Sequence, residues 1–323
     1  MTFYRHIIKK AWEITWKFRF LWFFGLFTAL LGNGGEYEII VKTFGDEEGA
    51  GLFPGLRTLA DTGIFTMDGM RNVARTAATD PINFSIIIIV LLLTLAAGVF
   101  LVWLVIISQA ALVNSSAKII QNKKTAFRET LQSGISNFWP VFILNLFNRL
   151  IFSGIFILLL IPIAVSLSLA APLYVILFII LIPVSIFISF IIKYSIGYVV
   201  IKGQPLFAAL GNGWKLFKEN WLVSVEMALL LTLINFALGL LAIFIVLVLS
   251  VPFLFLAAIF INFGSVAGFW LVALLGFAGF MALLFLAGAI LATFQVSAWT
   301  GLFLELINKG GTSKIVRMFG KSE

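Results

Sequence analysis

The chain has no cysteine and a single histidine, His6. The first absence excludes disulfides, thiolate nucleophiles and Cys-based metal sites. One histidine, placed in a basic N-terminal stretch, leaves no His-based metal centre or triad. Charge is scarce as well: 11% of residues are charged, against about 25% in an ordinary soluble domain. All the Asp residues fall between positions 46 and 80, so no paired carboxylates stand in the apolar segments. Neither a G-x-S-x-G nor a P-loop pattern occurs. No catalytic residues, metal or cofactor are expected.

What is abundant is apolar surface. The 323 residues are 62% hydrophobic, with 35 Phe and 9 Trp and a mean hydropathy of +1.12. A water-soluble fold could not cover that surface with 22 basic and 14 acidic side chains. Lipid removes the difficulty, because apolar side chains facing acyl tails cost nothing, and large amphipathic rings favour bilayer interfaces. The expected fold class is all-α: a polytopic transmembrane helical bundle of about six spans with amphipathic interfacial helices. Residues 1–323 form one integral membrane domain.

Residues 3–19 read as a basic, aromatic amphipathic helix at the membrane surface, continuous with a short first span at 18–32. It is read as an uncleaved first membrane helix, since no clear A-x-A site follows it. Residues 33–80 form an extracytoplasmic loop with short amphipathic helices. Asp80-Pro81 starts the next helix, with spans at 82–107, 139–167, 173–202 and from Trp221 to Pro252. Amphipathic helices are expected at 125–137 and 204–219. Within 253–308 the pattern suggests a short re-entrant or interfacial segment at 253–263, then one long helix from about 266 to 307; eight spans is the alternative. A short basic cytoplasmic tail covers 309–323.

Lys and Arg cluster before Phe20, at 118–128, at 193–218 and in the tail, while the other long polar stretch is acidic. The excess of basic residues on cytoplasmic segments places both termini in the cytoplasm of a cell (inner or plasma) membrane. Such clusters suit anionic lipid headgroups as partners. They form no continuous basic face, so nucleic acid is not expected. A protein partner or a homo-oligomer remains open.

Three units share a plan of basic amphipathic helix, aromatic anchor and helical hairpin. The interfacial anchors are Trp22, Trp139 and Trp221. Leu131, Gly134 and Phe138 match Leu210, Gly213 and Phe217 at one offset. A threefold hairpin pseudo-repeat would place parallel hairpins about an axis, unlike inverted transporter repeats.

The stretch Ala208-Ala209-Leu210-Gly211-Asn212-Gly213-Trp214-Lys215-Leu216-Phe217, followed by a Trp-started span, resembles the membrane domain fused to some glycerophosphoryl diester phosphodiesterases. It is also similar to related uncharacterised bacterial six-span families. The resemblance covers roughly residues 120–308 by layout and implies a bacterial plasma-membrane domain. The soluble phosphodiesterase domain, with its metal-binding acidic residues, is absent from this chain, so that catalysis does not carry over.

Ionisable groups within the bilayer are costly and are candidates by default. Arg149 and Glu226 lie inside spans and could meet if the third and fifth spans are neighbours. With Asn145, Asn148 and Asn235 they form the candidate intramembrane polar site, read either as glue that fixes helix register or as a substrate or headgroup site. The expected function is a non-enzymatic multi-pass membrane protein that binds lipid or a protein partner, or scaffolds an envelope process. The alternative is a transporter or exporter of an amphiphilic or anionic substrate through Arg149 and Glu226.

Overall fold

The computed structural model describes residues 2–30, 71, 79, 81–164 and 170–309. These residues contain eight helices and no strand. They are α1 (Thr2–Lys17), α2 (Leu21–Ala29), α3 (Pro81–Ile120), α4 (Phe127–Ser136), α5 (Phe138–Ala164), α6 (Ala170–Lys202), α7 (Leu206–Asn262) and α8 (Val266–Lys309). The helices expected in 33–80 and the tail after Lys309 fall outside the described residues, Arg71 and Thr79 apart.

Five helices are long and apolar enough to cross a membrane: α3, α5, α6, α7 and α8. In a bilayer only helices and closed barrels satisfy every backbone polar group, which is why the apolar runs stay helical throughout. The short first span is not among the five. α2 has nine residues, about 14 Å of helix at 1.5 Å per residue, and a turn at Phe18–Phe20 breaks it from α1. The expected continuity from 3 to 32 is therefore interrupted.

A second correction concerns 253–263. α7 does not end at Pro252; it runs unbroken through that proline to Asn262. Proline removes one ladder hydrogen bond, but unwinding an apolar segment would strand several more backbone groups, so the helix persists. The amphipathic stretch 204–219 is likewise the first part of α7, set off by a kink at Asn220, where φ is −130° and ψ 28°. α8 begins at Val266, as expected.

Packing is concentrated at one end. In α3 every side chain from Ser85 through Trp103 is exposed, whereas Val105 to Ser108 are buried. Beyond Leu231 no residue of α7 is buried, and in α8 only Val272 is buried before Ala289. The core joins Tyr4, Ile7 and Ala11 of α1 to Phe190, Tyr194, Met227, Phe294 and Leu302. Smaller clusters lock α5 between α3 and α6, and α2 onto α3. This is the end that carries the Lys and Arg clusters.

The contacts follow a cycle. α1 packs on α8, α4 on α3, and the start of α7 on α6. α2 fits between α8 and α3, α5 between α3 and α6, and α7 between α6 and α8. Glycines permit the close approaches. A Cβ on Gly134 would strike the Ile107 carbonyl, and one on Gly213 would lie 2.5 Å from Ser195 Oγ and 2.9 Å from the Ile191 carbonyl oxygen. Gly25 sits in the same way against Ala289 and Thr293.

Candidate functional site

The candidate polar residues are distributed over several helix contacts. Glu226 is half-buried on α7 and accepts a hydrogen bond from the Tyr4 hydroxyl. Tyr4 belongs to the Tyr4–Ile7–Ala11–Ile14 stripe that seats α1 on the bundle, so the bond ties the N-terminal helix to α7. Sequence reasoning missed Tyr4, although its place in that stripe was the available signal.

Arg149 lies on an exposed face of α5. α6 packs against both α5 and α7, and those two helices share little contact of their own. α6 thus stands between the third and fifth spans over most of their packing. One turn from Arg149, Asn145 donates to Gln109 Oε1 at 2.6 Å and to the Val141 carbonyl at 2.9 Å, binding α5 to α3. Asn148 Oδ1 and Asn235 Oδ1 are buried and have no hydrogen-bond partner among the described residues, as are Ser108 Oγ and Gln295 Oε1. They sit on α5, α7, α3 and α8 respectively.

Other polar groups at the packed end also join helices. Ser115 and Thr130 hydroxyls lie 2.7 Å apart, Ser116 and Ser297 3.0 Å, and Tyr194 and Ser224 2.6 Å. Asn114 donates to Ser133. Buried hydroxyls and amides in an apolar interior are stable only when paired, and these pairs fix one helix register. Lys193 Nζ stands 4.5 Å from the Trp299 ring centroid, a cation–π geometry. No group of three or more His, Cys, Asp or Glu side chains gathers among the described residues.

The surface of the packed end is basic and aromatic in three places. α1 exposes Arg5, Lys9 and Lys17 with Trp12 and Trp16; the α3–α5 junction exposes Lys123, Lys124 and Arg128 with Trp139; α7 exposes Lys215 and Lys218 with Trp214 and Trp221. Trp22 is half-buried, its indole N–H donating to the Thr15 carbonyl at 2.8 Å. Lys118 bonds Glu129, and that bond with the ammonium charge holds the Glu129 carboxyl below its ordinary range. On the far half of α3 a shallow, open trough is lined by Leu92, Leu95, Ala96, Val99, Phe100 and Trp103.

The fold and its surface define an all-helical, multi-pass membrane protein. No family model, curated protein or solved structure matches the chain.

Proposed function

We propose that this is a non-enzymatic plasma-membrane protein that binds anionic lipid headgroups through its basic, tryptophan-rich end. The observation that carries this reading is the thrice-repeated exposed pairing of Lys or Arg with Trp at that one end. Indole rings favour the headgroup level, and each Lys or Arg near an anionic leaflet contributes about 1 kcal/mol. The Ser115–Thr130, Ser116–Ser297, Tyr194–Ser224 and Asn145–Gln109 pairs nearby are engaged in helix contacts. Kinship with the phosphodiesterase-associated membrane domains is part of the proposal, resting on the Ala208–Phe217 stretch and the layout of α4 to α8.

The topology we propose has six crossings, the apolar run at 18–32 counted as the first, and both termini in the cytoplasm of a bacterial-type cell membrane. The cyclic contact order supports a threefold hairpin pseudo-repeat. In each unit an amphipathic helix docks on the returning helix of another unit, and Gly134 and Gly213 occupy corresponding contacts.

The test is native mass spectrometry of the protein exchanged from nanodiscs holding equal anionic and zwitterionic lipid. Anionic lipid should be retained preferentially, and Lys215→Gln/Lys218→Gln with Lys123→Gln/Lys124→Gln should reduce that preference several-fold. Equal retention of both lipids by the unaltered protein would sink the reading.

A further inference from the structure

Between Glu226 and Glu305 the chain contains no Asp, Glu, Lys, Arg or His. The structure folds this run into one antiparallel hairpin: Phe253 packs on Gly276 and Phe260 on Gly268. From Trp221 to Asn262, α7 is about 60 Å long at 1.5 Å per residue, and the 44 residues of α8 match it. The 27 residues of α5 reach about 40 Å. A bilayer is about 30 Å thick in its hydrocarbon core and about 40–45 Å with headgroups. Set with Trp139 and Trp221 at the same interface, α5 fits; the α7–α8 hairpin overreaches by roughly 20 Å.

That overreaching part is not built for water. Phe263, Val266 and Trp270 are 83%, 70% and 66% exposed, and the adjacent Leu254 and Phe255 are exposed on different faces. The turn satisfies its own backbone. Ser265 N–H donates to the Phe260 carbonyl and Gly264 N–H to the Ile261 carbonyl, both at 2.9 Å, with Gly264 at φ +68°. This is a Schellman closure, which leaves few backbone groups seeking solvent. A second copy could cover only one side of a hairpin that, Asn262 at the tip apart, exposes apolar side chains on all sides. A lipid phase covers every side.

We propose that the distal third of the α7–α8 hairpin is a lipid-seated arm, bent over at Pro252 so that its tip beds in the leaflet opposite the basic end. Pro252 weakens the α7 ladder at the level where Gly276 of α8 lies against Phe253, so α7 yields most easily there. The arm rests on the membrane reading above, and the test separates the two.

The chain has no cysteine, so Ser265→Cys and Leu233→Cys each give one site for an environment-sensitive fluorophore in the full-length protein in nanodiscs. Both labels should emit in the blue, be quenched by lipids carrying a nitroxide on the acyl chain, and resist aqueous iodide several-fold better than a label at Lys124→Cys. Iodide access at position 265 with a lipid signature at 233 would overturn the arm and leave the membrane reading standing. Iodide access at both would overturn the membrane reading as well. A position-265 label shielded from iodide and from nitroxide lipid, with disulfide dimers formed by the unlabelled variant, would assign the tip to a second copy instead. Adding Pro252→Ala should stiffen the arm and raise iodide quenching at 265 at least about twofold; no change would overturn the bend.

Discussion

Tyr4 and Glu226 lie 222 residues apart and meet through one hydrogen bond. A bond to a carboxylate in this partly buried setting contributes about 1.5–3 kcal/mol, so Tyr4→Phe should lower the thermal midpoint in detergent by several degrees. A double-mutant cycle with Glu226→Gln should return a coupling energy of about 1 kcal/mol or more; additive effects would show that the bond contributes nothing to stability. Glycines offer a sharper contrast. Gly134→Ala forces a Cβ onto the Ile107 carbonyl and should cost about 1–3 kcal/mol through displaced backbone. Gly98 has open space around its Cβ position, so Gly98→Ala should be neutral or gain up to about 1 kcal/mol in helix propensity. Parallel unfolding curves for the two variants check this.

At the scale of the element, α4 is the helix whose docking responds to pH. Its Glu129 accepts a hydrogen bond from Lys118 of α3 and has a lowered carboxyl pKa. A carboxylate with a folded pKa below its unfolded value stabilises the fold fully above the unfolded value, near 4.3, and loses that contribution as pH falls through the folded one. Acidification through this range should loosen α4 from α3, read as faster amide exchange over Phe127–Ser136. Glu129→Gln should leave exchange in α4 without that acid-dependent step. Both side chains are partly exposed, so the effect will be modest and salt-sensitive.

For the whole molecule, the separation of a packed basic end from a lipid-exposed far end sets the expected behaviour in solution. The purified chain should require detergent or lipid to stay dispersed, since side chains of α3 from Ser85 to Trp103 are exposed without a break. Single cysteines introduced into this cysteine-free chain test the orientation. Lys124→Cys should resist a membrane-impermeant maleimide in intact cells and react after lysis, and Glu38→Cys should react in both. The reverse pattern would invert the assigned topology.

Much of the architecture was legible in the sequence, because lipid immersion requires long uncharged helical runs and tolerates little else. The start at Pro81, the amphipathic helix near 127–136 and the long final helix could be read directly from apolar length, charge and proline. The cytoplasmic placement of the Lys and Arg clusters is an expectation of a different kind, drawn from charge distribution alone. The weaker readings failed where the periodicity was silent. Pro252 looked like a helix end, but an apolar surround makes an interrupted ladder cheaper than an unwound one. The candidate site was only partly visible. Apolar stripes fix which face of a helix is buried, not which helix covers it. That α6 packs against both α5 and α7, that Tyr4 reaches Glu226, and that Gln109 receives Asn145 were decided only when the helices met. These contacts depend on side-chain shape and small residues at crossings far apart in the chain, to which local pattern is blind.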